Sequence, residues 1–383
     1  MKLLHIINDE KFVNAVINQF DIAEDQQSYY LLPVSNFSNA KYLNDKFKTH
    51  QNIYFNLYGT TDYFSCIDKI NPDFLIIHGL SNKHKFILKK LDNKFKVVWN
   101  SWGRDIFSMK KLNHRMYKAE TRTIITETEK SQNTYKRKIG KLFYWFLLKE
   151  RRIQYDTENF LKYIDFISTV VKEDYYALKE AYPETDKIKY LNFNYGVVNF
   201  DKTEFTQGKD IIVGNSANPE NNHIESFNLL NNSDLKDKKI VVPLSYGGNQ
   251  HYIKKIIESG ENLFGAHFKP LNTFLKKVEY ENILDNIGVA IMNQSHQHAM
   301  GNIIYLLSNG VKVYMDYNNT AAKYLLRIGA KIFNVETEID FSPLSKKEKD
   351  NNKLIMIKHY DTQAIKKRTQ NYVDRLIIEL KKS

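Results

Sequence analysis

Residues 211–225 read IIVGNSANPENNHIE, a short apolar run followed by a polar turn and a predicted helix start. Ile211–Val213 is β-branched and lacks a helical period, so we expect a buried strand there. Gly214 follows directly and lets the backbone approach a ligand closely. Asn222 and Glu225 have the spacing of a capping box, which predicts that a helix begins at this point. A buried strand that turns into a helix is the repeating unit of a parallel α/β sheet.

The same pattern recurs along the whole chain. Short apolar runs with β-branched and aromatic residues alternate with segments long enough for helices, which favours parallel sheets with helical crossovers. The predicted strands are Leu3–Ile7, Tyr29–Val34, Ile53–Leu57, Phe74–His78, Lys96–Trp99, Phe166–Val171, Ile211–Val213, Lys239–Pro243, Val289–Met292 and Val311–Met315. The predicted fold class is therefore α/β with two Rossmann-like halves, although no GxGxxG motif is present.

The length of the chain predicts more than one domain. It has 383 residues, and a single hydrophobic core stops growing at roughly 250–300 residues. The stretch 193–210 is polar and irregular, which places the predicted boundary near residue 200. We expect a first Rossmann-like domain over 1–200, a second over 201–345, and a charged helical segment over 346–383 that packs back on the first. Cys66 is the single cysteine, which excludes an internal disulfide and a cysteine zinc cluster.

The positive charge is concentrated in one segment. The chain carries 56 Lys and Arg against 44 Asp and Glu, a formal net charge of +12. Residues 104–152 hold 14 of the basic and 5 of the acidic residues, which is +9 of that total. Residues 135–152 show a helical pattern with an aromatic face flanked by lysines, as in helices that lie on anionic membranes. The side chains expected at the lipid are Lys138, Lys141, Phe143, Trp145, Phe146 and Lys149.

Other interpretations of this basic segment stay open. A helix that packs on the core and has a solvated basic rim shows the same composition. Nucleic-acid binding is disfavoured, because the aromatic residues are contiguous on a helix and not interleaved along a strand platform. No stretch reaches the roughly 18 uncharged apolar residues that a membrane-spanning helix requires, so we expect peripheral membrane contact.

Two later strand-to-helix junctions repeat the design of the first. Tyr246 follows the strand 239–243 and offers a ring that can stack on a base. Residues 292–302 contain two histidines and a glycine at a helix start, where free N–H groups suit phosphate oxygens. Such turns also occur for purely structural reasons. Because ligands bind outside the carboxyl ends of parallel strands, three of these loops together predict a site for a nucleoside diphosphate.

The sequence blocks at these junctions resemble a known family. Val213–Ser216 followed by Asn222–Ile224, then Val241–Pro243 with Tyr246, and Trp102–Asp105 after a strand are similar to the bacterial 4-acetamido-4,6-dideoxygalactose (Fuc4NAc) transferase family, glycosyltransferase family 56. The resemblance runs from about residue 74 to residue 325 and includes His78-Gly79 at a strand end. Members of this family use a dTDP-sugar and a lipid-linked acceptor in building enterobacterial common antigen.

The resemblance implies a fold and a set of site residues. It implies a GT-B architecture, in which two Rossmann-like domains face a cleft, with the acceptor on the first and the donor on the second. On the acceptor side the implied residues are His78, Trp102, Arg104 and Asp105. The residues implied to bind the nucleotide-sugar are Gly214, Asn215, Ser216, Tyr246, Gly301 and Asn302, to which we add His298 as a candidate cation near the diphosphate.

Glycosyl transfer requires that the departing diphosphate be neutralised and, for inversion, that a base take the acceptor proton. No DxD-like metal motif stands in a suitable loop, and His296 and His298 are too close in sequence for a helical metal site. We therefore expect helix N-termini with Arg104 or His298 to neutralise the diphosphate, without an obligatory metal or other cofactor. The candidate bases are Asp105, Asp9 and His78. Asp105 is favoured, with a helix N-cap as its alternative role.

The resulting hypothesis is a glycosyltransferase that moves a Fuc4NAc-like deoxyamino sugar from a dTDP-sugar to a lipid-linked saccharide. Its expected partners are the nucleotide-sugar, the lipid-linked acceptor and an anionic membrane, without nucleic acid. Its expected place is the cytoplasmic face of the bacterial cell membrane, in surface polysaccharide biosynthesis. Two alternatives stay open: another nucleotide-sugar enzyme on the same fold, such as an epimerase, and a noncatalytic scaffold at the membrane surface.

Overall fold

The chain folds into two compact units in the computed structural model. The residues that the structure describes are 1–127, 159–196, 200, 204–205 and 208–382. Among them, the first unit comprises 1–113, 159–196 and 359–382, and the second comprises 114–127, 200, 204–205 and 208–358. The described part of the basic segment is thus divided after residue 113, whereas the sequence predicts that all of it lies in the first domain.

Thirteen strands and thirteen α-helices are formed by the described residues, besides short 3-10 helices. The strands are β1 (Lys2–Ile7), β2 (Gln27–Leu32), β3 (Ile53–Phe55), β4 (Phe74–His78), β5 (Lys96–Asn100), β6 (Phe166–Ser168), β7 (Lys189–Tyr190), β8 (Asp210–Val213), β9 (Ile240–Pro243), β10 (Phe268–Leu271), β11 (Ile287–Met292), β12 (Lys312–Met315) and β13 (Phe333–Asn334). The helices are α1 (Val13–Asp21), α2 (Thr61–Ile70), α3 (Asn82–Leu91), α4 (Arg104–Phe107), α5 (119–127), α6 (Lys172–Ala181), α7 (His223–Leu230), α8 (Gln250–Phe264), α9 (Lys277–Leu284), α10 (Met300–Ser308), α11 (Thr320–Arg327), α12 (Lys346–Tyr360) and α13 (Thr362–Leu380).

The first unit is built on a seven-stranded sheet in the order β3-β2-β1-β4-β5-β6-β7. Every strand pair in this sheet is parallel. The chain moves outward from β1 to β3 and then returns to place β4 on the other side of β1. The loops after β1 and β4 therefore diverge at the carboxyl edge, and this switch point is where open α/β sheets bind ligands.

The last helix completes the core of the first unit. Asp361 ends α12 and caps α13, because its carboxylate accepts a hydrogen bond of 2.7 Å from the Ala364 N–H. Tyr372 packs at 5.7 Å from the Phe20 ring and at 5.3 Å from the Phe193 ring, measured between centroids. All three side chains are buried, and burying a side chain of this size contributes about 1.5–3 kcal/mol.

The second unit repeats the topology on a six-stranded sheet in the order β10-β9-β8-β11-β12-β13. Its strand pairs are also parallel. Its switch point lies between β8 and β11, so the loops that follow Val213 and Met292 diverge at one edge. Both sheets confirm the predicted α/β class with two Rossmann-like halves. Every predicted strand is present, and the strands without a prediction are β7, β10 and β13.

Helix α5 belongs to the second unit because its first turn is bound there. The Glu225 carboxylate accepts hydrogen bonds from the Thr121 N–H at 2.9 Å and from its hydroxyl at 2.7 Å. Lys118 forms an ion pair of 2.9 Å with Asp316. The predicted capping box at Asn222 is therefore wrong. Asn222 has a left-handed backbone, and its amide donates a hydrogen bond of 2.8 Å to the Asn293 carbonyl. The Glu225 carboxylate binds Thr121 in α5 and does not cap α7.

Candidate active site

The first unit has a pocket of about 320 Å³ at the carboxyl edge of its sheet. Its lining comes from the segments that follow β1, β4 and β5, which surround the switch point. The lining residues are Asn8, Glu10, Gly79, Leu80, Ser81, Trp102, Arg104, Asp105 and Ser108. Three of the four residues expected on the acceptor side, Trp102, Arg104 and Asp105, thus lie around one pocket.

Gly79 allows Trp102 to form a wall of this pocket. Its φ is +69°, a left-handed conformation that favours glycine. A Cβ atom at this position would lie 2.7 Å from Cε3 of the Trp102 ring. Gly79 is therefore needed for the shape of the pocket and not only for the turn after β4.

Asp105 holds the pocket loops together. Its carboxylate accepts hydrogen bonds from the Leu80 N–H at 2.8 Å and from the Trp102 N–H at 3.1 Å. It also accepts from the indole N–H of Trp99 at 2.7 Å and from the Ser101 hydroxyl at 2.6 Å. A carboxylate whose two oxygens already receive four donors is a poor proton acceptor. The N-cap alternative is also wrong, because α4 begins at Arg104 and its N-cap is Gly103.

His78 does not line the pocket, which corrects its prediction as a base. Its side chain is fully buried and hydrogen-bonds His5 Nδ1 and the Tyr195 hydroxyl, each at 2.9 Å. Burial, with the nearby His84, lowers the pKa of His78 to about 3. A neutral, buried imidazole in this position is part of the core under β1 and β4.

Two carboxylates that follow β1 differ sharply in their surroundings. Asp9 accepts hydrogen bonds from the backbone N–H groups of Lys41, Tyr42 and Leu43, so it fixes a loop and is not available as the predicted base. Glu10 is half-buried in the pocket wall. Burial raises the pKa of the Glu10 carboxyl above its ordinary value of 4.5, and Asp9 adds to this effect. The sequence motifs do not mark Glu10, although it follows a predicted strand.

In the second unit, the predicted nucleotide residues lie on the loops that follow β8, β9 and β11 and in the first turn of α10. The Asn215 amide donates to the Tyr246 hydroxyl at 3.2 Å, which joins the first two loops. The Asn302 amide donates to the Tyr280 hydroxyl at 3.0 Å. Gly301 lies in the first turn of α10, and a Cβ there would meet no described atom within 4 Å. There is thus open space beside Gly301 in the first turn of α10.

Asn221 organises the loop after β8, although no motif singles it out. Its amide donates to the Ser216 carbonyl at 2.9 Å and to the Asn218 carbonyl at 3.0 Å. Its Oδ1 accepts from the Asn215 N–H at 3.1 Å and from the Gln294 amide at 2.8 Å. Gly214 has a φ of +65°, and a Cβ there would lie 2.8 Å from Asn221 Oδ1. Gly214 therefore makes room for Asn221.

Buried amide oxygens at this edge lack donors within the described residues. They are Asn215 Oδ1, Asn293 Oδ1, Gln294 Oε1 and Gln297 Oε1. Each unsatisfied buried group costs about 1–3 kcal/mol, and a ligand with N–H or O–H groups removes that cost. Four unsatisfied amide oxygens are thus gathered at the edge between β8 and β11.

A carboxylate and two imidazoles stand just before α10. The buried Glu220 lies 3.4 Å from Nε2 of His296 and 3.9 Å from Nε2 of His298. The His298 side chain is 20% exposed, whereas the His296 side chain is fully buried. The Glu220 carboxylate therefore lies within ion-pair distance of both imidazoles.

The proposed membrane contacts lie outside the described residues: Lys138, Lys141, Phe143, Trp145, Phe146 and Lys149. None of the helices that the structure describes is long and apolar enough to cross a membrane. Across the same described residues, no group of three His, Cys, Asp or Glu side chains is arranged to hold a metal ion.

The fold is shared with solved glycosyltransferases at low sequence identity. Sucrose-phosphate synthase from Thermosynechococcus elongatus has a TM-score of 0.63 and 8% identity, covering 99% of this chain and 100% of its own. The lipopolysaccharide outer core galactosyltransferase WaaB has a TM-score of 0.58 and 8% identity, covering 98% and 99%. Anabaena HepE, in complex with UDP and glucose, has a TM-score of 0.54 and 10% identity, covering 100% and 97%.

These neighbours have the GT-B fold, and this chain shares it. The family model described as "4-alpha-L-fucosyltransferase glycosyl transferase group 56" matches residues 171–381, which is more than half of the chain. The matched range includes all the loops at the edge between β8 and β11. The chain is therefore a glycosyltransferase with the GT-B fold and belongs to glycosyltransferase family 56.

Proposed function

We propose that this enzyme transfers a Fuc4NAc-like deoxyamino sugar from a dTDP-sugar to a lipid-linked saccharide. The observation that carries the donor half is the set of buried amide oxygens at the edge between β8 and β11, which accept hydrogen bonds from a nucleoside or a sugar. Tyr246, at 46% exposure, offers a ring at the same edge. The complex of Anabaena HepE with UDP and glucose supports a nucleotide donor on this fold.

The diphosphate of the donor binds at the start of α10 in this proposal. The backbone N–H groups of the first turn and the His298 imidazolium neutralise the charge that develops on the leaving group. Glu220, at 3.9 Å from Nε2 of His298, balances the charge of that imidazolium in this proposal. Transfer then proceeds without an obligatory metal, since the helix and the cation supply the neutralisation.

The acceptor half of the proposal rests on charge and on one neighbour. Residues 104–152 hold +9 of the net charge of +12, and each Lys or Arg near an anionic membrane contributes about 1 kcal/mol of binding. WaaB is named for its action on a lipopolysaccharide core, which is a lipid-linked saccharide. We propose peripheral binding at the cytoplasmic face of the cell membrane, where a lipid-linked acceptor is presented.

Product analysis by mass spectrometry tests this function. We expect the enzyme, given dTDP-Fuc4NAc and a polyprenyl-diphosphate-linked saccharide, to release dTDP and to add one deoxyamino sugar to the acceptor. An epimerase would convert the donor without acceptor, and a scaffold would release no dTDP. Either of these results would contradict the proposal.

The same assay with the acceptor in vesicles tests the membrane component. Transfer should be faster with anionic vesicles than with neutral ones, and the difference should shrink as salt screens the surface charge. Deletion of residues 135–152 should remove the preference for anionic lipid while transfer to a detergent-solubilised acceptor continues. An unchanged preference after the deletion would contradict membrane binding by this segment.

A further inference from the structure

A hydrogen-bond chain in the first unit leads to one carboxylate in the pocket. It begins at the backbone N–H of Ser81, which donates to Nδ1 of His84 at 3.0 Å. A backbone N–H can only donate, so Nδ1 carries no proton and the neutral ring holds its proton on Nε2. Burial lowers the pKa of His84 to about 4, so this neutral form persists at physiological pH.

The remaining hydrogen bonds in this series all run in one direction, from donor to acceptor. His84 Nε2 donates to the Tyr58 hydroxyl at 2.6 Å, and Tyr58 donates to Asn8 Oδ1 at 2.6 Å. The Asn8 amide then donates to Glu10 Oε1 at 3.3 Å. Every donor and acceptor role in this series of hydrogen bonds is thereby fixed, and the series ends at the Glu10 carboxylate, which must accept. Its two ends, Ser81 and Glu10, both line the same pocket.

Glu10 differs from the other pocket carboxylate in what it can still bind. Within the described residues, the Asn8 amide is the one hydrogen-bond donor to the Glu10 carboxylate, whereas Asp105 receives four donors. The charged groups near Glu10 are Asp9 and Lys11 on its own segment. Arg104 and Asp105 face the pocket from the segment after β5.

We infer that Glu10 is the catalytic base of the transfer, and that the pocket beside Trp102 binds the acceptor saccharide; this rests on the proposed function. The acceptor hydroxyl gives its proton to a Glu10 oxygen, and its oxygen forms a bond to the anomeric carbon of the donor sugar. The bond from that carbon to the diphosphate breaks, and the nucleoside diphosphate leaves with the electron pair. Asn8, Tyr58 and His84 are positioning residues that hold Glu10 and fix its hydrogen bonds.

This assignment predicts a stereochemical course and a pH profile. A single displacement assisted by one base inverts the anomeric centre of the donor. Because the base must be ionised, kcat should fall as the pH drops through the pKa of Glu10, which burial places above 4.5. Burial raises the pKa of the Tyr58 hydroxyl and lowers the pKa of His84 to about 4, so Glu10 is the first of the three groups to take up a proton as the pH falls from neutrality.

Glu10→Gln is the direct test, since Gln keeps the volume and can still accept from Asn8. We expect kcat to fall about 10²- to 10⁴-fold, the acid limb to disappear, and the melting temperature and dTDP affinity to stay at wild-type values. Glu10→Asp should recover part of the turnover, because it restores a carboxylate at a shorter reach. Tyr58→Phe should lower kcat more than it changes KM.

The outcomes separate this inference from the proposed function. Absence of product with wild-type enzyme would contradict the proposed acceptor or donor class. If the wild-type enzyme forms product, three results would overturn Glu10 as the base. They are equal turnover by Glu10→Gln, a change in KM alone in that variant, and retention at the anomeric centre of the donor. Inverted product and loss of the acid limb in the variant would establish it.

Discussion

Asp105→Asn should unfold the first unit at a distinctly lower temperature. The Asn side chain keeps one acceptor oxygen but replaces the other with an amide N–H₂. This group faces donors that the carboxylate of the wild type satisfies, among them the Trp99 indole and the Leu80 N–H. Lost charge-assisted bonds and unpaired donors of this kind together cost about 3 kcal/mol. In a unit of this size that lowers the melting temperature by roughly 6–12 °C, measured by calorimetry or circular dichroism.

Asp68→Asn is the matched control for this substitution. Asp68 forms an exposed ion pair of 2.7 Å with Lys94, and its side chain is 53% exposed. Such surface pairs contribute about 0–1 kcal/mol, so the control should melt close to the wild type. If Asp105→Asn kept the wild-type melting temperature and lost turnover, Asp105 would be the base and would not hold the pocket loops together.

Gly214→Ala should disrupt the donor edge of the second unit. The new methyl group would lie 2.8 Å from Asn221 Oδ1, and the φ of +65° is itself unfavourable for alanine. Asn221 would have to move, which breaks its bonds to the Asn215 N–H and the Gln294 amide. We expect a loss of about 3 kcal/mol of stability and a dTDP affinity at least about 100-fold weaker, measured by titration calorimetry.

Gly265→Ala separates backbone strain from the clash. Gly265 ends α8 with a φ of +49°, and a Cβ there meets no described atom within 4 Å. This variant should lose some stability from the strained backbone and keep the wild-type dTDP affinity. Equal dTDP binding by Gly214→Ala and the wild type would show that the loop around Asn221 does not form the donor site.

The strands were predictable because each long buried run has a clear signal. Phe74–His78 and Val289–Met292 are apolar, β-branched and without a helical period, so the order of strands and helices follows from the chain. The strands β7 and β13 have two residues each and lie at sheet edges, where too little apolar surface is buried to leave a pattern. Strand β10 is only partly buried and contains Pro270, which also weakens its signal.

The roles of single side chains were less predictable than the loops that carry them. The sequence indicates the loop after β5. The carboxylate of Asp105, however, is occupied by hydrogen-bond donors from separate segments, and the spacing of residues in the sequence does not reveal these contacts. Glu10 follows β1 by three residues, and its importance depends on β1 lying next to β4 at the switch point. Strand order is set by tertiary packing, so only the structure brings Asn8 and Glu10 to the pocket wall.

We propose that this glycosyltransferase binds its donor nucleotide at the edge between β8 and β11, and nucleotide-dependent melting tests this binding most directly. At about 100 times its Kd, dTDP should stabilise the enzyme by about 2.7 kcal/mol, with a smaller effect of UDP and none of GDP. Tyr246→Ala should remove the dTDP shift, whereas Phe274→Ala, at a ring that is 82% exposed in the same unit, should keep it. A melting temperature that does not respond to dTDP or UDP, or a dTDP shift that survives in Tyr246→Ala, would contradict the claim.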